Sequence, residues 1–182
     1  MTTWAPNDPD TKAAELLLYV AQRTELDETA GSVKYNKILY FGELAHMRKV
    51  GQPITGVEYQ KNPMGPTLRR MVPIVTQLLD SDSAVEVERE YYGRSQKRLI
   101  ALRPPDLSAF SGEEIAAVDM MIQQLWGKSA KEISDISHDD LGWRAVEDGH
   151  TIPLSMAFIN ADGVVTEKMR QRAKQLVADL NP

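Results

Sequence analysis

The sequence predicts a mainly α-helical α+β fold, a helical bundle of about six helices with one β-hairpin near residues 85–102. Several segments repeat apolar residues every three or four positions, which is the spacing of a buried helical face. Two capping boxes mark helix starts, and one segment changes to the two-residue alternation of strands. The length of 182 residues fits one domain with one core.

The first two helices are predicted from their apolar spacing. One helix is expected over about 11–24, with Asp10 or Thr11 as its N-cap. A second helix is expected over about 32–49, with Ser32 as its N-cap. Each helix would bury one apolar face in the core.

The middle of the chain predicts an interrupted helix and the hairpin. Apolar residues have helical spacing over about 67–79, but Pro73 lies inside this run. Because proline lacks an amide hydrogen and clashes with the carbonyl four residues back, it should kink or divide the helix. Over 85–102, valines alternate with glutamates, and Gly93 lies in the turn between the two predicted strands.

Capping boxes locate two helices in the second half of the chain. Ser111 with Glu114 begins a helix that reaches about residue 127, and Ser129 with Glu132 begins a short one that reaches about residue 136. A last helix is predicted over about 166–180. In the helix that begins at Ser111, the buried face would consist of Ile115, Val118, Ile122, Leu125 and Trp126.

Composition and charge exclude several classes of protein. The chain has no cysteine, which excludes disulfides, thiolate catalysis and zinc sites with sulfur ligands. The net charge of −5 argues against a protein that coats nucleic acid. Residues 31–103 nevertheless carry a basic surplus and the flanks an acidic one, which suits a charged protein partner.

The sequence indicates a cytoplasmic protein. Its longest apolar run, Leu16 to Ala21, is far shorter than the roughly 20 residues of a membrane span. Residues 1–10 contain no lysine or arginine, so they lack the positive region of a secretory signal.

The sequence contains no catalytic or cofactor-binding motif. It has no HExxH metal motif, no G-x-S-x-G nucleophile elbow and no glycine-rich phosphate loop. Ser137-His138-Asp139 joins the residue types of a catalytic triad, but neighbouring side chains usually point apart. A hydrolase or metal site centred on His138 is therefore a weak alternative, and we predict no enzyme, no cofactor and no metal.

Basic side chains near the hairpin turn raise a further alternative, a DNA-binding transcriptional regulator. Arg94, Lys97 and Arg98 could contact DNA in the manner of a wing, or form a charged contact patch for a protein. The preceding strand carries glutamates, and cross-strand pairing with these glutamates explains the basic residues as a solvated hairpin face.

A series of short motifs runs from about residue 35 to 145: Lys37-Ile38-Leu39-Tyr40-Phe41, His46, Gly51, Pro53-Ile54-Thr55-Gly56, Tyr59, Gly65-Pro66, Ser137-His138 and Trp143. In this order and spacing the series resembles the Panacea domain of the SocA-like antitoxin family. It departs from the family pattern at Met64, where a tyrosine is expected before Gly65-Pro66.

The resemblance implies a bacterial or phage-borne antitoxin that neutralises a toxin encoded by the adjacent gene, mostly by direct protein contact. It implies no catalysis and no cofactor. One family member delivers its toxin to an ATP-dependent protease, so a protease is a further candidate partner. The family-like core would lie at about 10–160 of a single domain over 1–182. The residues expected to touch the toxin or to form the family motif are Tyr40, His46, Tyr59, Gly65, Pro66, His138 and Trp143.

Overall fold

The computed structural model describes residues 8–91, 93–159 and 171. It confirms a mainly helical α+β fold, with six α-helices among these residues. The helices are α1 (Pro9–Arg23), α2 (Ser32–Val50), α3 (Met71–Asp80), α4 (Gly112–Leu125), α5 (Ala130–His138) and α6 (Leu141–Ala145). The strands are β1 (Tyr59–Gln60), β2 (Thr67–Leu68), β3 (Ala84–Tyr91), β4 (Arg94–Ala101) and β5 (Thr151–Ile152), and a 3-10 helix follows over Leu154–Phe158.

Helix α2 is the centre of the fold. Its buried residues, which run from Lys34 to Met47, lie on all sides of the helix and not on one stripe. Helices α1, α4 and α5, strand β4 and the 3-10 helix all pack against it. A helix that is buried all round belongs to the interior of a bundle. The other elements are therefore positioned relative to α2.

Helices α1 and α2 begin differently from the predictions. The N-cap of α1 is Asp8, whose carboxylate accepts hydrogen bonds from the N–H groups of Asp10 and Thr11, both at 3.1 Å. The prediction of Asp10 or Thr11 as the cap is therefore wrong, because the helix starts earlier. Ser32 is not a cap but the first helical residue of α2, and Gly31 precedes it without a side chain to cap the helix.

Pro73 neither kinks nor divides a helix, contrary to the prediction. Strand β2 and a turn occupy residues 67–70, and α3 begins only at Met71. Pro73 therefore lies in the first turn, where backbone N–H groups have no partner within the helix and a missing amide hydrogen is tolerated. Leu68 follows the helical spacing in the sequence, but in the structure it is a buried residue of strand β2.

Both predicted capping boxes are present. Ser111 and Glu114 exchange hydrogen bonds at the start of α4, and Ser129 and Glu132 do so at the start of α5. Trp126, which was predicted in the buried stripe of α4, is 47% exposed. The reason is that α4 ends at Leu125, and the backbone becomes extended at Trp126.

The structure contains one sheet that the sequence predicts and one that it does not. The hairpin is confirmed, since β3 and β4 pair antiparallel over their whole length. A three-stranded sheet in the order β2-β1-β5 was not predicted, because strands of two residues show no alternation to detect. This sheet pairs Tyr59 of β1 with Leu68 and Ile152, so it joins distant parts of the chain.

The predicted helix over 166–180 lies outside the described residues, apart from Gln171. The single domain over 1–182, with a core at about 10–160, stays a prediction. Among the described helices, none combines the length and the apolar composition needed to cross a membrane.

Candidate interaction site around the motif loop

Residues 61–66 form a loop between strands β1 and β2, which we call the motif loop. The antiparallel pairing of these strands fixes both ends of the loop. Three helices contact it: α2 through Lys37, α5 through His138 and α6 through Trp143. The fold therefore brings together motif residues that lie far apart in the sequence.

Gly65 is a tightly packed point of the motif loop. Its φ of 93° lies in the left-handed region, which favours glycine. A Cβ atom at this position would overlap Ser137 Oγ and would lie 2.7 Å from Lys37 Cε. Glycine therefore satisfies both the backbone conformation and the close approach of two helices.

Lys37 is a buried cation that contacts the end of the motif loop. Its side chain is buried, and its Nζ donates a hydrogen bond to Pro66 O at 3.0 Å. Burial lowers the pKa of the Lys37 ammonium group from 10.5 to about 7. The hydrogen bond of Lys37 joins α2 to the motif loop. Because its pKa is about 7, Lys37 loses its positive charge near neutral pH.

His138 and Trp143 form a stacked aromatic pair beside the motif loop. Their ring centroids lie 4.2 Å apart. His138 Nε2 lies 3.1 Å from Pro63 O, and Trp143 Nε1 donates to Asn62 O at 3.1 Å. Lys61 Nζ lies 4.3 Å from the indole centroid, which is a cation–π contact. Both rings are half-buried, so each keeps some surface that a partner can reach.

Tyr40 and Tyr59 are core residues that position α6. Tyr40 Oη donates to Asp140 Oδ1 at 2.7 Å, and the same carboxylate oxygen accepts a hydrogen bond from Trp143 N at 2.9 Å. Burial and then the Asp140 carboxylate raise the pKa of the Tyr40 hydroxyl. The Tyr59 ring meets the Tyr40 ring edge-on, with centroids 5.2 Å apart. Both tyrosines are buried, so they hold the site together from inside.

The Tyr40→Phe variant is expected to lose about 1.5 kcal/mol of unfolding free energy, because it removes one buried hydrogen bond to a carboxylate. The packing of the ring stays, and Asp140 keeps the hydrogen bond from Trp143 N. Urea denaturation followed by circular dichroism measures the loss. A change below about 0.3 kcal/mol would contradict a positioning role for the Tyr40 hydroxyl.

A second polar cluster on α2 holds the segment 52–55. The fully buried carboxylate of Glu43 accepts hydrogen bonds from the N–H groups of Ile54 and Thr55 at 2.5 and 3.0 Å. Burial raises the pKa of this carboxyl above its ordinary value. His46 is also buried, and its Nδ1 lies 2.8 Å from the carbonyl oxygen of residue 52. Glu43 was not among the predicted site residues, although an acidic residue among the apolar positions of a helix was a usable signal.

The side chains of Ser137 and His138 make separate contacts. Ser137 Oγ is buried and donates to Ser134 O at 2.8 Å, while His138 Nε2 lies 3.1 Å from Pro63 O. Ser137 and His138 are therefore not bonded to each other, although His138 Nε2 also lies 3.4 Å from the hydroxyl oxygen of Ser134. Within residues 8–159, leaving out residue 92, no group of three or more His, Asp or Glu side chains is placed to hold a metal ion.

The basic residues of the hairpin do not form one exposed patch. Arg98 is 6% exposed and donates to the carbonyl oxygens of residues 24 and 25 at 3.3 and 2.8 Å. Lys97 is exposed, but its Nζ lies 2.9 Å from Glu86 Oε1. Arg94 begins strand β4. The Arg98 contacts attach the hairpin to the end of α1, which the sequence did not indicate.

The comparison with protein families covers the same part of the chain as the site. Residues 36–144, more than half of the chain, match the family described as Antitoxin SocA-like, Panacea domain. This range begins inside α2 and ends inside α6, so it includes the motif loop and the helices that contact it. Neither the comparison with curated proteins nor that with solved structures gives a match. The chain therefore belongs to the SocA-like antitoxin family and carries its Panacea domain.

Proposed function

We propose that this protein is an antitoxin that neutralises a toxin encoded by the adjacent gene through direct protein contact. The observation that carries the proposal is the family match over residues 36–144, the part of the chain that builds the site. The mechanism we favour is occlusion of the toxin's active or target-binding surface. Charge complementarity between the two proteins would speed their encounter.

Burial divides the motif residues into two groups. The buried group supports the fold and consists of Tyr40, His46, Tyr59, Gly65 and Pro66. Met64 is 45% exposed in the motif loop, and the half-buried His138 and Trp143 flank the same loop. We assign toxin contact to these three residues, because a buried side chain reaches a partner only if the fold opens. Met64 is also where the sequence departs from the family pattern, which suits a residue that selects a particular toxin.

We propose that the protein acts without catalysis and without a cofactor. The hydroxyl of Ser137 and the imidazole of His138 are hydrogen-bonded to backbone carbonyls that shape the motif loop and α5. Groups held in this way serve as structural contacts. The contact between Ser134 Oγ and His138 Nε2 is 3.4 Å long, which is outside the roughly 2.6 to 3.2 Å at which a general base activates a nucleophile.

A DNA-binding regulator receives no support from the hairpin. Arg98 is buried against α1, and the Lys97 ammonium group is paired with Glu86. A DNA-binding surface needs several basic side chains free to contact phosphates. Strongly salt-dependent binding to its own promoter, lost in the Arg94→Glu, Lys97→Glu double variant, would be needed to revive this alternative.

Growth of cells that express the product of the adjacent gene tests the proposed function. We expect growth arrest with this product alone, normal growth when the antitoxin is co-expressed, and copurification of the two proteins. Arrest that the antitoxin does not relieve would contradict the proposal. If rescue requires an ATP-dependent protease of the host, the antitoxin acts by delivering the toxin to proteolysis and not by occlusion.

The Met64→Asp variant tests the assigned contact surface. Because Met64 is exposed, this variant should fold normally but should rescue growth poorly, since it places a charge in the contact. Met120→Asp is the matched control, because Met120 is similarly exposed, at 43%, but lies on α4. Equal rescue by both variants would show that the motif loop does not contact the toxin.

A further inference from the structure

In strand β3, the backbone N–H and C=O groups of every second residue face away from the partner strand β4. Tyr91 pairs with Arg94, only two residues separate them in the sequence, and residues that flank so short a connection form a hydrogen-bonded pair. The hydrogen bond from Leu102 N to Ser83 O, at 2.9 Å, continues the same alternation at the other end. The odd-numbered residues of β3 therefore bond to β4, and the N–H and C=O groups of Glu86, Glu88 and Glu90 point outward.

The two edges of this hairpin differ in how they are covered. The outward groups of β4 face the body of the protein: Tyr35 Oη donates to Leu99 O at 3.5 Å, and a Cβ atom at Gly31 would lie 3.2 Å from Lys97 O. The outward backbone groups of β3 have no hydrogen-bond partner in the described part of the chain. Residues 85–88 and Glu90 are all exposed. The outer edge of β3 can therefore form backbone hydrogen bonds with a further strand.

The two faces of β3 carry different chemistry beside this open edge. Glu86, Glu88 and Glu90 share one face, because side chains alternate along a strand. Val85 and Val87 share the other face and are 42% and 43% exposed. Glutamates at an edge discourage pairing between two copies of the same strand, since like charges would then meet. That protective role does not explain why the valines of the opposite face remain exposed.

We propose that the outer edge of β3 binds an extended segment of a partner protein as an added strand. The segment that fits has lysine or arginine on the side of the three glutamates and apolar residues on the side of the two valines. Main-chain hydrogen bonds then supply affinity, and the alternating side chains supply specificity. The identity of this partner as the toxin rests on the proposed function, whereas the edge itself does not.

Amide hydrogen exchange of the full chain, measured residue by residue with NMR, tests the proposal. The two probes are the product of the adjacent gene and a synthetic peptide of seven residues that alternates lysine and valine. Either probe should slow the amides of Glu86, Glu88 and Glu90 about tenfold or more. The amides of Val85 and Val87 should be slow with and without a probe, because β4 already binds them. A peptide that alternates glutamate and valine is the control and should slow none of the three.

Two variants of Glu88 separate backbone pairing from side-chain charge. Glu88→Pro removes an outward N–H group without touching a hydrogen bond to β4, and Glu88→Thr removes the same charge but keeps the N–H group. We expect the proline variant to lose the protection of Glu86 and Glu90, and the threonine variant to keep most of it. Slow exchange at Val85 and Val87 in the proline variant verifies that its hairpin is intact. If the hairpin is not intact, the Glu90→Lys variant, which should weaken peptide binding, is used in place of the proline variant.

Three results would overturn the proposal. The first is slow exchange of the three glutamate amides in the free protein, which would mean that this chain or a second copy already covers the edge. The second is a toxin complex in which these amides exchange as fast as before, which would overturn the toxin as the partner of this edge and leave the antitoxin function intact. The third is no protection by either probe. If the adjacent product is not a toxin but the lysine–valine peptide protects the edge, the proposed function fails and the edge site stands.

Discussion

Replacing Gly65 by alanine is expected to cost about 2 to 5 kcal/mol of unfolding free energy, because two separate penalties add at this position. The left-handed backbone of Gly65 strains any residue with a Cβ atom by about 1 to 2 kcal/mol. The added methyl group also overlaps Ser137 Oγ and crowds Lys37 Cε, which belong to buried side chains on two packed helices. Overpacking of this kind costs about 1 to 3 kcal/mol.

Gly149→Ala is the matched control for this variant. Gly149 also has a positive φ, of 77°, but nothing lies within 4 Å of a Cβ atom built there. It should lose only the backbone part, about 1 to 2 kcal/mol. Thermal and urea denaturation of both variants measure the difference. Equal losses in the two variants would refute the packing explanation, whereas partial recovery in a Gly65→Ala, Ser137→Ala double variant would support it.

The free energy of unfolding is expected to rise by about 2 kcal/mol between about pH 7 and pH 9 because of Lys37. The pKa of this ammonium group is about 7 in the folded protein and 10.5 in the unfolded chain. In this interval the unfolded chain holds a proton that the folded protein has released, so stability increases with pH. Above about pH 10 the buried tyrosines act in the opposite direction, since the pKa of Tyr19 is raised to about 12 and an unfolded tyrosine ionises first.

The Lys37→Met variant isolates the contribution of this one amine. Methionine fills a similar volume without a titrating group, so the rise in stability between about pH 7 and pH 9 should largely disappear. Lys49→Met, a change of an exposed lysine near the end of the same helix, should keep the wild-type slope. Urea denaturation across this pH range gives the three slopes. A wild-type slope in Lys37→Met would show that the buried lysine does not release its proton in the folded state.

Local signals in the sequence predicted the fold where one element depends on its own residues. The capping boxes at Ser111 and Ser129 and the alternation in the hairpin are of this kind, and the structure contains all three. Errors arose where a neighbouring element decides the outcome. Leu68 has helical spacing but belongs to a strand, because β1 pairs with it. The sheet formed by β2, β1 and β5 depends on a pairing between residues about 90 positions apart, which no local pattern contains.

The candidate site was predicted as a set of motif residues but not as an arrangement. The motif series identified Tyr40, Gly65, His138 and Trp143, which the fold gathers around the motif loop. The roles of these residues follow only from contacts across the fold, such as the shared use of Asp140 by a tyrosine and by the start of α6. The burial of Arg98 was missed for the same reason, since its hydrogen-bond acceptors are carbonyls at the end of α1.

Direct neutralisation is tested most directly by a binding titration of the purified protein with the purified product of the adjacent gene, without nucleotide or protease. Under the proposed function, we expect a stable complex in which the toxin has lost its activity. We also expect Met64→Asp to weaken this complex at least about tenfold and Met120→Asp to leave it unchanged. A toxin that stays unbound and fully active in an excess of the folded protein would contradict direct neutralisation.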